Sequence, residues 1–222
     1  MSEALWTAVD QYITDMLVPT DSALDAAVEA SNAAGLPAIA VTPAQGKLLH
    51  LLARLQGARR ILEIGTLGAY STIWLARALP ADGRLVTLEV NPEYAKIAQA
   101  NISRAGLDAI VDLRLGPALD TLQQIVAEGG GAFDFIFIDA DKQNIPRYFD
   151  FACRVSRPGG LIIVDNVVRD GRVIDSKSHD PDIQGIRRFN QMLAATQGVF
   201  ATAIQTVGAK GHDGFAIVLV TG

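Results

Sequence analysis

The sequence predicts an α/β fold, a mostly parallel sheet covered by helices on both faces and built as one domain over residues 1–222. Three observations predict it. From residue 60 to residue 165, short apolar runs alternate with segments of helical period, the pattern of parallel strands joined by crossover helices. The last two apolar runs are separated only by the turn-rich "GAKGHDG", which suggests an antiparallel hairpin closing one edge of the sheet. Half of the residues are apolar, which at this length is enough to bury a sizeable core.

Two amphipathic helical patterns come first, Leu5 to Leu17 and Asp21 to Ala34. Between them "VPTD" supplies Pro19 to stop one helix and Asp21 to cap the next. "GLPAIAVTP" then interrupts with Gly35, Pro37 and Pro43, so residues 1–41 read as a helical extension ahead of a core over residues 42–222. Thr42 caps a third helix with Pro43 at its first position, running through "AQGKLLHLLARL"; His50, among its leucines, reads as packed. The five strand candidates are "RILEI", "RLVTLEV", "VDLRL", "FDFIFI" and "GLIIVD". Helical patterns fall between them at "STIWLARAL", "PEYAKIAQANISRAG", "ALDTLQQIVAE" and "IPRYFDFACRVS", the last carrying the single cysteine, Cys153, as a buried core thiol. After "DIQGIRRFNQMLAAT" come "FATAIQTV" and "GFAIVLVT", with His212 read as a solvated residue of the turn between them.

A net charge of −5 with scattered arginines argues against attraction to nucleic acid, which needs clustered Lys and Arg. The opening "MSEALWTAVDQYITDML" mixes acids into its apolar residues, unlike a signal peptide, and no apolar run approaches the length that crosses a bilayer. The expectation is a soluble, cytoplasmic protein.

"ILEIGTLGAYST" places Gly65 and Gly68 just after the first strand and before a helix. Open parallel sheets bind ligands at the carboxyl ends of their strands, where strand order reverses, and glycine there permits close backbone approach. The next strand ends in Glu89, 24 positions after Gly65, where an acid accepts both ribose hydroxyls of a nucleoside. A dinucleotide fingerprint wants Gly-x-Gly-x-x-Gly, whereas this loop has Gly65-x-x-Gly68 and puts Tyr70 at the place of the third glycine. Glu63, inside the last turn of the strand, suits a cationic amine or a loop N–H better than a pyrophosphate. S-adenosylmethionine fits that description.

The fourth strand ends at Asp139 and the fifth at Asp165-Asn166. If the two strands are close in the sheet, two carboxylates and one amide oxygen meet beside the glycine loop. Hard oxygen ligands without His or Cys favour Mg2+, Mn2+ or Ca2+ over zinc. Taken singly, Asp139 and Asp165 could also be caps, and Asn166 a turn residue. Lys142, three residues after Asp139, can turn its amine toward the same place; a divalent cation and partial burial both disfavour an ammonium ion, which suits a general base. A solvated ion pair with Asp141 is its plainer role. The three histidines fall in a helix, a loop and a turn, so no Ser-His-Asp or Cys-His arrangement competes. An NAD-dependent oxidoreductase and a non-catalytic cofactor-binding protein stay open as alternatives.

Together, "VTPAQGKLL", "LEIGTLGAYST", "TLEVNPEYAKIAQANI", "GPALDTL", "FDFIFIDADKQNIPRYF", "GGLIIVDNVVRDGRV" and "IRRFNQML" resemble the cation-dependent S-adenosylmethionine O-methyltransferases, the family of catechol and caffeoyl-coenzyme A O-methyltransferases, over nearly the whole chain. The resemblance implies a Rossmann-like, doubly wound, seven-stranded sheet of order 3-2-1-4-5-7-6 with strand 7 antiparallel. It implies that Glu63, Gly65, Thr66 and Ser71 surround the methionine part of the cofactor, with Gly68 in the same loop and Thr42 nearby. Glu89 would bind the ribose, Ala118 would sit at the adenine, and Asp139 and Asp141 would lie beside the cofactor. Asp139, Asp165 and Asn166 would ligate the metal, Mg2+ or else Mn2+ or Ca2+, and Lys142 would be the general base. The implied activity is methylation of one hydroxyl of a vicinal aromatic diol by a homodimer whose N-terminal helices shape the acceptor pocket. One departure is that "DNVVRDG" puts Arg169 and Asp170 where plant caffeoyl-type enzymes have an aromatic residue and an amide, so the plant acyl acceptor does not carry over.

Overall fold

The computed structural model of the chain describes residues 2–129 and 132–222. Helices α1 (Glu3–Leu17), α2 (Ser22–Ala33) and α3 (Pro43–Leu55) precede the sheet. Then follow β1 (Arg60–Ile64), α4 (Tyr70–Ala76), β2 (Arg84–Glu89), α5 (Pro92–Arg104), β3 (Val111–Leu115), α6 (Ala118–Ala127) and β4 (Phe133–Ile138). A 3-10 turn over Lys142–Asn144 leads into α7 (Ile145–Val155), β5 (Ser156–Asp165), a second 3-10 turn over Arg172–Ile174, α8 (Pro181–Ala195) and the hairpin β6 (Val199–Gly208) and β7 (Gly211–Val220). The seven strands lie in the order β3-β2-β1-β4-β5-β7-β6, and β7 is antiparallel to both of its neighbours.

Helix starts follow their caps. Asp21 accepts from the N–H groups of Ala23 (3.0 Å) and Leu24 (3.1 Å) at the head of α2, and Asn91 accepts from Glu93 N–H (2.9 Å) ahead of Pro92 in α5. The central strands β1 and β4 and the second half of β5 read as nearly continuous apolar runs because the middle of the sheet is buried on both faces, whereas the edge strand β6 is exposed along most of its length. Along β4, Phe135 and Phe137 pack on the side of α2 to α5 with Leu49, Ile73 and Trp74. Ile136 and Ile138 alternate to the other side, against Phe149 of α7 and Phe189 of α8. In β1 the same alternation sends Leu62 and Ile64 toward α7 and α8, and leaves Ile61 and Glu63 facing α3 and α4.

Three boundaries differ from the sequence expectation by three residues or more. β5 starts at Ser156 instead of Gly160, because "SRPGG" is drawn out along Phe133 with a register shift before Phe135. The closing turn contracts to Ala209-Lys210, since β6 and β7 pair all the way to Gly208 and Gly211. His212 is therefore a strand residue opposite Val207, with its Nε2 3.0 Å from Gln205 Oε1, and not a solvated turn residue. α4 ends at Ala76, three residues short of its apolar pattern. Among the described residues, no helix is long and apolar enough to cross a membrane.

The extension is tied to the sheet's far edge. Asp10 of α1 accepts from Ala209 N–H (2.7 Å) at the hairpin tip, and Lys210 Nζ donates to the Ala38 carbonyl (2.6 Å). The segment between α2 and α3 is thus held near the loop that follows β5, whose Asp170 N–H donates to the His212 carbonyl (2.8 Å).

Candidate active site

Strand order reverses between β1 and β4, so the chain leaves the sheet in opposite directions there and opens a crevice at the strand ends. Gly65 begins the loop after β1 at φ +102°, and a Cβ on it would lie 2.1 Å from the Asp139 carbonyl oxygen. The glycine is demanded by the end of β4 itself, before any ligand is considered. Gly65→Ala is expected to lower stability by about 3 kcal/mol through combined backbone strain and overlap, read as a lower urea midpoint with unchanged m-value; an unchanged midpoint refutes it. Gly68 is set by packing too, since a Cβ there would lie 2.0 Å from Ser31 Oγ of α2.

Glu89 closes the loop from the neighbouring strand. Its Oε2 accepts from Leu67 N–H (2.8 Å), and its Oε1 from the N–H groups of Val90 and Asn91 (both 2.9 Å). This carboxylate holds Leu67 in its left-handed conformation (φ +50°) and pins the entry to α5 to the glycine loop.

Glu63 is fully buried, and its oxygens accept from Ser71 Oγ (2.6 Å), Thr72 Oγ1 (2.5 Å) and Thr87 Oγ1 (2.7 Å). It joins β1 to α4 and β2, while Thr66 Oγ1 lies 2.6 Å from Thr87 Oγ1 in the same buried chain. Burial pushes the Glu63 carboxyl up from 4.5 to about 7; the three hydroxyls oppose that rise and nearby Asp139 adds to it. A raised carboxyl favours the folded state most below its unfolded value, and that contribution is lost as pH rises through about 7. Stability is expected to fall between pH 5 and pH 8, and to fall less in Glu63→Gln. Parallel pH profiles of the urea midpoint for the two proteins would refute this.

The second cluster joins the ends of β4 and β5. Asp139 N–H donates to the Ile64 carbonyl (2.9 Å), which fixes the turn out of β4 beside Gly65. Lys142 is buried, and its Nζ donates to Asp139 Oδ1 at 2.9 Å. Its 3-10 turn rests on α8, where a Cβ on Gly185 would lie 2.3 Å from the Lys142 carbonyl oxygen. Its ion-pair partner is therefore Asp139. Asp141 accepts instead from Tyr148 OH (2.5 Å) and Asn144 Nδ2 (2.6 Å), and burial, then Asp141, pushes the Tyr148 hydroxyl up.

Asp165 is buried at the end of β5, with Oδ1 accepting from Asn166 N–H (2.8 Å) and Oδ2 from Gln45 Nε2 (2.7 Å). Burial first, then the charge of Asp139, pushes its carboxyl from 3.8 up to about 7, against the pull of Lys142. Asn166 turns the chain at φ +60°. No group of three or more His, Cys, Asp or Glu side chains stands ready for a metal among the described residues. What does stand together is the pair of carboxylates of Asp139 and Asp165, with more negative charge than the single lysine offsets, and Asn166 follows Asp165 directly in the chain as a source of an amide oxygen. That donor set fits a hard divalent cation.

Of the other sequence-predicted residues, Thr42 spends its hydroxyl on Gln45 N–H (3.2 Å) as the cap of α3, and Ala118 opens α6 just after Gly116, whose N–H donates to the Glu89 carbonyl (2.8 Å). Sequence reasoning missed Gln45, Thr72, Thr87 and Tyr148. Thr87 had a legible signal as the one hydroxyl inside "RLVTLEV", paired in register with Glu63. Gln45 had none.

A family model described as O-methyltransferase matches residues 16–218. The chain is 54% identical over 220 residues, 99% of its length and 100% of the relative's, to the catechol O-methyltransferase of Niastella koreensis. Among solved structures it is similar to the O-methyltransferase from Bacillus cereus in complex with SAH (58% identity, TM-score 0.98, covering 99% of this chain and 100% of that one). It is also similar to the O-methyltransferase TomG from Streptomyces achromogenes, involved in tomaymycin synthesis and solved in complex with SAM (51% identity, TM-score 0.97, covering 100% of both chains).

Proposed function

Because the chain belongs to the O-methyltransferase family, we propose that it transfers the methyl group of S-adenosylmethionine to one hydroxyl of a catechol-like vicinal aromatic diol, assisted by a divalent cation. The observation that carries this reading is the meeting of Asp139, Lys142 and Asp165 at the ends of two adjacent strands, beside the glycine loop. When bound, S-adenosylmethionine supplies an electrophilic sulfonium methyl, and the cation supplies Lewis acidity and direction to two neighbouring acceptor oxygens.

The residues that would hold the cation are Asp139, Asp165 and Asn166. Around the cofactor, the loop from Gly65 to Ser71 would carry the methionine part with Glu63, Thr66 and Thr42; Glu89 would take the ribose and Ala118 the adenine, and Asp141 would lie alongside. Lys142, as the neutral amine released from its ion pair with Asp139, would accept the acceptor hydroxyl's proton at Nζ. The sulfonium would supply its methyl carbon to that oxygen, the thioether leaving with the electrons of the broken carbon–sulfur bond. A dinucleotide oxidoreductase has no comparable use for the acids at Asp139 and Asp165.

The acceptor pocket would be closed by the extension and by the loop after β5, and a homodimer fits α1, which buries no residue and exposes Tyr12 (67%) and Met16 (66%). Sedimentation tests the dimer, and a monomer at working concentration refutes it. The reaction is tested with labelled S-adenosylmethionine and a panel of vicinal diphenols against matched monophenols, in the presence of Mg2+. Transfer to the diphenols alone is expected; equal transfer to monophenols, or none to either with cofactor bound, overturns the acceptor class.

A further inference from the structure

"TPAQ" opens α3 with a capping-box pattern, in which the side chain at the third helical position normally returns to the backbone N–H of the cap. Gln45 makes only the backbone half of that arrangement, its N–H donating to Thr42 Oγ1 at 3.2 Å. Its side chain goes elsewhere: Nε2 donates to Asp165 Oδ2 at 2.7 Å, across 120 positions of sequence. The helix that carries it is seated by Leu49 and Ala53, both buried, so the amide stands on a rigid element.

The partner of that amide is an unusual carboxylate. Asp165 is buried beside Asp139, and the lysine of the cluster is paired with Asp139 Oδ1 at 2.9 Å. The two donors on Asp165 itself, Asn166 N–H at 2.8 Å and Gln45 Nε2 at 2.7 Å, are both neutral. Together they hold both oxygens and so set the rotation of the carboxylate about its last bond. A lysine or arginine at position 45 would also reach the oxygen, but would cancel the charge on which cation binding depends. An amide orients and leaves the charge, and each oxygen keeps a further lone pair for another partner.

We propose that Gln45 is a positioning residue of the reaction: from the head of α3 it holds Asp165 in the rotation that presents the carboxylate to the divalent cation. This rests on Asp139, Asp165 and Asn166 being the cation's ligands. Removing a partner of this kind typically weakens metal affinity by about 10- to 100-fold.

Gln45→Met keeps the length of the side chain and removes the donor, and Gln45→Asn keeps the amide but shortens its reach. Mn2+ is titrated calorimetrically into the cation-free wild type, both variants and Asp165→Ala. The expected result is a Kd for Mn2+ weakened by about 10- to 100-fold in both Gln45 variants, with affinity for S-adenosylhomocysteine and the cation-free Tm close to wild type. A Kd for Mn2+ unchanged from wild type in either variant overturns the proposal, and a lower cation-free Tm accompanying it marks Gln45 as merely structural. Wild type and Asp165→Ala binding Mn2+ equally overturns the cation reading beneath it, and the role of Gln45 with it.

Discussion

Replacing Lys142 by alanine is expected to lower kcat by about 10²- to 10⁴-fold, the usual contribution of a positioned base, with affinity for S-adenosylhomocysteine nearly unchanged. The split follows from where the residue sits. Lys142 lies on the 3-10 turn after β4, supported by Gly185 of α8, and its Nζ faces Asp139 and not the glycine loop. The contacts that shape the loop, from Glu63 to Ser71 and Thr72 and from Glu89 to Leu67, do not pass through it. Alanine also strips Asp139 of its ion-pair partner, so some stability goes with the activity, and a fall in kcat alone does not separate base from brace. Lys142→Arg does separate them. A guanidinium restores the ion pair but does not give up its proton in a protein, so it returns stability without turnover. Arginine restoring kcat, or alanine weakening cofactor affinity as much as turnover, would make Lys142 a structural residue.

How much of this was legible follows from the range of the forces involved. "FDFIFI" announced β4 because a strand buried on both faces must be apolar throughout, and the run could only end where Asp139 reaches the strand's carboxyl end. The hairpin was legible for the same reason, although its turn was drawn too long: strand pairing carried Gly208 on one side and "GHDG", Gly211 to Gly214, on the other into the ladder. The first half of β5 was not legible, because Pro158, Gly159 and Gly160 signal a loop by every local rule, and only the neighbouring Phe133 draws them into the strand.

The site divides along the same line. Acids at strand ends are visible as breaks in apolar runs, so Glu89, Asp139 and Asp165 stood out. The reason for each glycine did not: Gly65 answers to the Asp139 carbonyl and Gly68 to Ser31, contacts made between distant parts of the chain. Glu63 shows the same limit. Its charge within "RILEI" marked it as special, but that its oxygens are taken by Ser71, Thr72 and Thr87 depends on β1 pairing with β2 while α4 packs on the same face.

Asp165→Asn is expected to abolish cation-dependent turnover, with a loss of at least about 10³-fold, comparable to removing the cation with chelator, while leaving the cation-free protein as stable as wild type or more so at pH 8. Stability and activity part company because the carboxylate is costly to the fold. With its folded value raised from 3.8 to about 7, Asp165 lends the cation-free fold most stability below its unfolded value and loses that contribution as pH rises through about 7. Asparagine removes the buried charge and the repulsion with Asp139, and its amide oxygen still accepts from Gln45. A divalent cation offsets the same cost in wild type, so the Tm rise it causes is expected to be larger at pH 8, where Asp165 is ionised, than at pH 6, where protons compete. At 100 times its Kd the cation stabilises by about 2.7 kcal/mol, roughly 5–10 °C for a chain of this size. The variant is expected to show no such shift at either pH. If Mg2+ raises its Tm as much as that of wild type, or if wild type turns over equally in chelator, then Asp139 and Asp165 do not hold a cation and the pair must serve the acceptor by some other chemistry.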